Sequence, residues 1–288
     1  MSIAKILAPL NGTANDSVAL ATAFAVAKAQ KAYVDAVFIN PDPREAIPVT
    51  EMPISGDIVQ EIVDSAELGR KQANGAARES FSVAAANWNV KIVSTPEKLD
   101  CVTATFRDVM GHPRKAIAKL ALLSDLVIFP PLLRDDLSGL HDAFIDVLTK
   151  TSRPVLLCAE KAPASVGQNV LIGWDGGAAA AQALIAALPI LEKADIVRFA
   201  SIHPEGQAEK RLAEARQYLA LHGMSARDTL VVAPRNSIAD ELFRIAHSHA
   251  CDLLVVGGYG HSRMMETVFG GTTRQLVSHP ETSLFLAH

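Results

Sequence analysis

The sequence predicts an α/β protein of two tandem doubly wound domains, each a five-stranded parallel sheet flanked by helices. Three observations carry this prediction. Short apolar runs alternate with segments of helical periodicity, the order of elements in the first half recurs in the second, and 288 residues are too many for one ordinary domain. The predicted domains are 1–160 and 161–288, joined by a polar linker at 160–167.

Each half opens with a strand, a turn and an Ala-rich helix. The first strand ends before a polar residue and a glycine, which are Asn11-Gly12 in the first half and Asp175-Gly176 in the second. Helical periodicity follows at 17–30 and at 178–193. Pro189 lies late in the second of these helices, where its ring and missing N–H should kink or shorten the helix.

The remaining elements recur in the same order. The predicted pairs are second strands at 33–39 and 195–202, polar helices at 57–88 and 205–222, third strands at 90–93 and 229–232, fourth strands at 124–129 and 251–256, and last strands at 154–158 and 282–286. Strands that alternate with helices imply right-handed crossovers and a parallel sheet covered on both faces.

Composition excludes several classes of protein. A hydrophobic share of 49% with 20% charged residues excludes disorder, and a net charge of −4 without a basic block excludes a nucleic-acid surface. Apolar runs are too short for a membrane span or a signal peptide, so a soluble cytoplasmic protein is expected. Three widely spaced cysteines, Cys101, Cys158 and Cys251, indicate buried free thiols and no metal site.

A glycine-rich loop follows the fourth strand of the second half. Gly257 and Gly260 come directly after that strand, and Gly270 and Gly271 precede a helix predicted to start near Thr272. Glycines let backbone N–H groups approach a phosphate, and a helix N-terminus favours an anion. Tight turns without a ligand are the alternative. Neither the Walker phosphate loop nor the dinucleotide-binding fingerprint is present.

This loop pattern, Gly-x-x-Gly, nine residues, then Gly and a small residue, resembles that of the universal stress protein family. The strand ending at 174–177 adds a second matching feature, and the resemblance extends over the whole chain as a tandem protein. It implies an adenine nucleotide alpha hydrolase-like, Rossmann-like fold. It also implies that the second domain binds ATP, AMP or another adenine nucleotide, with Mg²⁺ as an open question.

The resemblance also assigns roles to residues. Asp175 would face the nucleoside or, alternatively, hold Mg²⁺ with the phosphates. The end of the second strand would line the adenine, and the glycine loop with the following helix start would wrap the ribose and phosphates. The nucleotide-binding residues that the resemblance implies are Asp175, Ala200, Ser201, Ile202, Gly257, Gly260, Gly270, Gly271 and Thr272. Position alone adds His261 and Arg263, which lie inside the glycine loop and would either contact phosphate or form a solvated loop tip, and Thr273, whose hydroxyl could donate to a phosphate. Gly271 stands where the family has Ser or Thr, which implies a weaker phosphate contact.

The first half departs further from this pattern. Pro130 and Pro131 occupy its loop position and have no N–H to donate, Asn11 replaces the acidic residue, and Asp142 would lie near the phosphate position. The first domain is therefore predicted not to bind ATP in this mode. Asp142 and Asp146 share a helical face and are interpreted as two solvated carboxylates.

Three functions compete: a stress-response or regulatory protein that binds ATP, a slow ATPase, and a scaffold with a vestigial pocket. The first is preferred because no general base or acidic cluster is evident, so no catalytic residue is assigned. The resemblance also implies pairing of the last strands, 155–158 and 283–286, within one chain. The tandem chain would then be its own pseudo-dimer, and further homodimerisation stays open.

Overall fold

The computed structural model describes residues 2–48, 55–97, 100–132, 139–161, 165–202, 208–233, 236–258 and 271–288. The first half contains β1 (Lys5–Leu10), α1 (Asn15–Gln30), β2 (Tyr33–Asn40), a 3₁₀ helix (Pro43–Ala46), α2 (Gly56–Asn87), β3 (Lys91–Ile92), β4 (Thr103–Met110), α3 (Pro113–Ala121), β5 (Leu126–Phe129), α4 (Leu140–Lys150) and β6 (Val155–Leu157). The second half contains β7 (Asn169–Gly173), α5 (Ala178–Leu191), β8 (Ile196–Ile202), α6 (Ala208–Leu221), β9 (Asp228–Val232), α7 (Ile238–Ser248), β10 (Leu253–Gly257), α8 (Gly271–Ser278) and β11 (Ser283–Ala287).

In these ranges the strands form one continuous sheet in the order β3-β4-β2-β1-β5-β6-β11-β10-β7-β8-β9. Each half places its first strand, β1 or β7, near the middle of its own part and winds outward in both directions. All the strand pairs are parallel except β6 with β11. The predicted doubly wound α/β fold is confirmed.

The first half differs from the prediction by one strand. β4 pairs with β2 over eight residue pairs, from Tyr33 opposite Thr103 to Asn40 opposite Met110. The strand predicted at 90–93 is therefore displaced to the edge, where only Lys91 and Ile92 remain as β3. The sequence pattern did not predict β4, because the second half of this strand carries Arg107 and Asp108 and is largely exposed.

Helices cover both faces of the sheet. One apolar layer joins α1, α2, α5 and α6, and the other joins α3, α4, α7 and α8. Representative buried side chains of the first layer are Phe24, Phe81, Leu184 and Leu212, and those of the second are Ile117, Phe144, Leu242 and Leu276. This placement leaves the carboxyl ends of the strands as the edge at which a ligand can approach.

The two halves meet through their last strands. β6 and β11 run antiparallel, with Leu156 opposite Phe285, and both side chains are fully buried. On one face of this junction the Gln30 side-chain amide donates a hydrogen bond of 2.8 Å to the carbonyl oxygen of Pro189. The predicted pairing of the last strands within one chain is present in the structure.

Pro189 lies inside α5, and the helix ends two residues later, at Leu191. The helix predicted for 178–193 is therefore slightly shorter than expected. The missing N–H and the ring of proline disfavour further helical turns.

Asp142 and Asp146 differ in their exposure to solvent. Asp142 is exposed, but Asp146 is buried and accepts hydrogen bonds from Arg114 at 2.6 and 2.9 Å, with Lys150 at 2.9 Å. The interpretation of Asp146 as solvated was wrong, because α3 packs against α4 and brings Arg114 over it. The Arg114 guanidinium lowers the pKa of Asp146 below its ordinary value.

The cysteines are free, and two of them are buried. Burial raises the pKa of the Cys158 thiol to about 12, so this thiol is unreactive at neutral pH. Cys101 is exposed, contrary to expectation. No helix in the described ranges is both long and apolar enough to cross a bilayer.

Candidate functional site at the carboxyl edge of the second half

Three neighbouring strands of the second half bring the described candidate residues to one edge. β7 lies between β10 and β8 in the sheet. In register, Ile172 lies opposite Val255 of β10 and Gly173 lies opposite Ala200 of β8. Since the three strands are parallel, the turn after β7, the end of β8 and Gly257 at the end of β10 share the carboxyl edge.

Asp175 lies in the turn between β7 and α5 and is exposed. Its carboxylate accepts a hydrogen bond of 2.7 Å from the backbone N–H of Gly177. Gly176 between them has φ +76°, a conformation that favours glycine. The turn therefore holds the Asp175 side chain in one place at the edge while leaving it accessible to solvent.

Arg211 of α6 completes this turn and was not identified from the sequence. Its guanidinium donates a hydrogen bond of 3.1 Å to the carbonyl oxygen of Asp175. A Cβ added to Gly176 would lie 2.8 Å from the Arg211 side chain, so the two are in direct contact. Arg211 brings a positive charge to a site predicted for an anion. No motif spacing pointed to it, because α6 reaches the turn only through the tertiary fold.

Trp174 fixes the Asp175 turn to its neighbours. Its indole N–H donates to the carbonyl oxygen of Arg211 at 3.2 Å, and its backbone N–H donates to that of Ala200 at 2.8 Å. Its ring packs edge-on against Phe199, with centroids 6.2 Å apart. These contacts connect the ends of β7 and β8 to α6.

The end of β8 supplies buried residues. Ala200, Ser201 and Ile202 have relative exposures of 1%, 2% and 9%. Ala200 and Ile202 belong to the apolar layer beneath α7, and Ser201 points to the opposite face because side chains alternate along a strand. A nearly apolar wall therefore lies next to the Asp175 turn.

Gly257 has a packing role that the sequence did not reveal. A Cβ at this position would lie 2.6 Å from the backbone carbon of Ala179 and the backbone nitrogen of Ala180. The first turn of α5 thus packs directly on the end of β10, and only glycine leaves room for it. A phosphate contact by the Gly257 N–H stays a prediction.

Gly258 contacts the first half of the chain. Its added Cβ would lie 2.9 Å from the Leu148 side chain of α4. Its backbone N–H donates to the Ala287 carbonyl oxygen at 2.8 Å, and its own carbonyl oxygen accepts a hydrogen bond from His288 at 2.9 Å. The start of the glycine loop is therefore held at the junction between the two halves.

The rest of the loop is only partly described. Gly260, His261, Arg263 and Gly270 lie outside the described residues. Gly271 is the first residue of α8, as predicted for a helix starting near Thr272. Among the described residues no atom lies within 4 Å of a Cβ added to Gly271, Thr272 is half-buried and Thr273 is buried.

Comparisons with known proteins place this geometry in context. No family model matches the chain. Over 117 residues it is 30% identical to a universal stress protein of Synechocystis, an alignment that covers 38% of each protein, so the chain spans well under half the length of that relative. A crystal structure of a universal stress protein from Archaeoglobus fulgidus superposes with a TM-score of 0.69 over 98% of this chain and 97% of that one, at 13% identity. The fold is that of the universal stress proteins.

Two further structures have the same universal stress protein fold over nearly the whole chain. A putative universal stress protein from Pseudomonas aeruginosa UCBPP-PA14 has a TM-score of 0.57 at 17% identity, covering 99% of this chain and 93% of that one. A functionally unknown protein from Pseudomonas aeruginosa PAO1 has a TM-score of 0.59 at 17% identity, with coverages of 99% and 92%. The predicted resemblance to the family is confirmed.

In the first half, the backbone N–H groups at the matching turn already donate to a side chain of the protein. The carboxylate of Asp16, which is fully buried, accepts hydrogen bonds from the backbone N–H groups of Asn11 at 3.0 Å and Gly12 at 2.8 Å. At the corresponding place in the second half, five residues after Asp175, stands Ala180. The sequence already contained this difference between Asp16 and Ala180, since the two turns align residue by residue.

The described start of the loop after β5 has two residues without an N–H. Pro130 and Pro131 follow the strand directly, and Leu132 beside them is buried. The Asn15 side chain donates to the carbonyl oxygen of Pro131 at 3.4 Å, which ties this loop to the start of α1. Neither proline can offer an N–H to a phosphate. That the first half does not bind ATP in the family's mode stays a prediction.

Proposed function

We propose that the second half binds an adenine nucleotide, ATP or AMP, and that the protein acts as a cytoplasmic stress-response or regulatory protein. One observation carries the proposal. The Asp175 turn and the glycine loop leave from β7 and β10, adjacent strands whose connections run in opposite directions. In open parallel sheets such a switch point forms the crevice in which ligands bind.

The chemistry of the crevice agrees with a nucleotide. Asp175 supplies an exposed carboxylate for ribose hydroxyls, and Arg211 supplies positive charge. The base is assigned to the end of β8 at 200–202 by the family resemblance. Asp175 is also the residue that would hold Mg²⁺ together with phosphates if the nucleotide binds as its magnesium complex. Gly260, His261, Arg263 and Gly270 complete the proposed phosphate site, with Gly271, Thr272 and Thr273 at the start of α8.

Native mass spectrometry of the freshly purified chain, followed by calorimetry with ATP and AMP, tests the proposal. We expect one nucleotide per chain. Asp175→Ala should weaken binding about tenfold or more, the value of one or two charge-assisted hydrogen bonds. Asp195→Ala is the matched control, because Asp195 is exposed at the start of β8, on the opposite edge of the sheet. Absence of any adenine-nucleotide binding at millimolar concentration would refute the proposal.

A slow ATPase is distinguished by turnover. ATP hydrolysis above about one event per minute that is lost in Asp175→Ala would replace the regulatory function with an enzymatic one. Binding without turnover supports a sensor. Binding of no ligand by an intact fold would favour the scaffold.

We also propose that the chain is its own pseudo-dimer, because β6 and β11 use within one chain the edge through which two separate domains could pair. Whether whole chains associate further is decided by light scattering. A monomer would exclude homodimerisation.

A further inference from the structure

We propose that the first half binds a different class of ligand, a small amphipathic carboxylate with an apolar body and a single negative charge. The site is a cavity of ≈ 870 Å³ beneath α2, at the carboxyl edge of β1 and β2. Its volume lies within the range of about 300–1,000 Å³ usual for small-molecule sites.

The cavity has an apolar floor and a helical roof. Leu10 at the end of β1, with Phe38 and Ile39 near the end of β2, forms the floor, and all three are buried. Ala66 and Arg70 of α2 contribute to the roof. The floor favours a hydrocarbon or aromatic body over a polar one, since apolar contact is the main interaction that it can offer.

A nucleotide does not suit this cavity. The N–H groups of Asn11 and Gly12 already donate to Asp16, and the Asn11 side-chain oxygen accepts from Thr13 at 3.1 Å. The adjoining loop begins with Pro130 and Pro131. A triphosphate would therefore find the N–H groups of Asn11 and Gly12 engaged and none at Pro130 and Pro131, so it would lose part of the charge-assisted hydrogen bonding that it has in water.

Arg70 identifies the charged part of the ligand. Its Nε is buried and has no hydrogen-bond partner among the residues that the structure describes. A buried donor without an acceptor is unfavourable, and a carboxylate satisfies a guanidinium better than any neutral group does. Asp42 and Glu45 also line the cavity but are exposed, and the Asp42 carboxylate accepts from the backbone N–H of Arg44 at 2.9 Å at the start of the 3₁₀ helix. Arg70 is therefore half-buried at the cavity wall, whereas the two acids are exposed.

Three probes with the same ten-carbon alkyl group separate the contribution of the apolar body from that of the charge. They are decanoate, decanol and decyltrimethylammonium, each titrated into the full-length protein by calorimetry. We expect decanoate to bind once per chain, decanol about tenfold more weakly, and the cation not measurably. Arg70→Gln should reduce decanoate affinity about tenfold, to the level of decanol, and leave decanol unchanged. Lys71→Gln is the matched control, with the same charge change on the next, exposed residue of α2.

A second pair of variants tests the cavity itself. Ala66→Phe fills the space beneath α2 and should abolish decanoate and decanol binding, whereas Ala76→Phe, at an exposed position of the same helix outside this cavity, should not. ATP binding by the second half should be unchanged in all four variants, so this proposal can fail independently of the nucleotide site. No decanoate binding at millimolar concentration, equal affinity for decanol, or displacement of decanoate by ATP would each overturn it.

Discussion

The buried carboxylate of Asp16 accepts a hydrogen bond of 2.8 Å from the backbone N–H of Gly12. Gly12 occupies the turn of the first half that corresponds to Gly176 in the second, and the two glycines have similar φ values of +80° and +76°. The two turns therefore share a backbone conformation but differ in what their N–H groups can still bind. In the first half an internal side chain uses the donors that a ligand would need.

Asp16→Ala should destabilise the protein by about 2 kcal/mol, because two N–H groups at the turn lose a charged acceptor. Asp175→Ala should cost less than about 1 kcal/mol, since Asp175 is exposed and water can replace its bond to Gly177. Urea denaturation of both variants measures the difference. Equal losses would show that the burial of Asp16 adds nothing to its hydrogen bonds.

Gly257→Ala and Gly258→Ala form a second comparison. The new Cβ at 257 would collide with the backbone of α5 at 2.6 Å, whereas the one at 258 would meet the end of the flexible Leu148 side chain at 2.9 Å. We expect a loss of about 3 kcal/mol for Gly257→Ala and less than about 1 kcal/mol for Gly258→Ala. Thermal and urea unfolding decide this. A harmless Gly257→Ala would contradict the packing of α5 on β10.

The ion pair of Asp146 with Arg114 predicts that the stability of the protein depends on pH. Arg114 lowers the pKa of Asp146 in the folded protein, so the folded state releases this proton more readily than the unfolded chain. The resulting stability is fully present above the unfolded pKa of about 3.9 and is lost as the pH falls through the folded value. Asp146→Asn should cost about 2 kcal/mol at pH 7.

The difference between wild type and Asp146→Asn should shrink as the pH falls below about 4. Urea midpoints measured at several pH values follow this difference. Asp142→Asn is the control, because Asp142 is exposed on the same helix, and its effect should be small at every pH. A pH-independent difference between wild type and Asp146→Asn would contradict the assigned ion pair.

Asp35 pairs with two cations of the sheet in the first half. It is 1% exposed, accepts from Arg107 at 2.6 and 2.8 Å, and lies 3.2 Å from Lys5. A double-mutant cycle of Arg107→Ala with Asp35→Ala should give a coupling energy of about 1–3 kcal/mol. The exposed pair of Lys71 with Glu67 on α2 should give about 0.5 kcal/mol or less. Similar couplings would show that burial of Asp35 does not strengthen its ion pair.

Much of the fold follows from local patterns. Alternating apolar runs and helical segments predicted the α/β class, and the repeat predicted two similar halves. The family resemblance implied that their last strands pair. β4 was not predicted, because Arg107 and Asp108 interrupt the apolar pattern. These charges are tolerated since this outer part of the sheet is largely exposed. The free energy that holds β4 in place comes from eight residue pairs with β2, which no local pattern contains.

The sequence by itself determined the order of elements, the asymmetry between the glycine loop at 257–271 and the prolines at 130–131, and the resemblance to the universal stress proteins. These depend on chain-local properties: side-chain periodicity, glycine freedom and the missing N–H of proline.

Only the tertiary structure decided which groups meet across the chain. It placed Arg211 against the Asp175 turn, packed α5 on Gly257 and buried Asp146 beneath Arg114. Within the described ranges it also left the Nε of Arg70, on α2, without a hydrogen-bond partner. Each of these depends on the distance between segments far apart in sequence. Helix packing on the sheet sets that distance, and the spacing of residues along the chain does not.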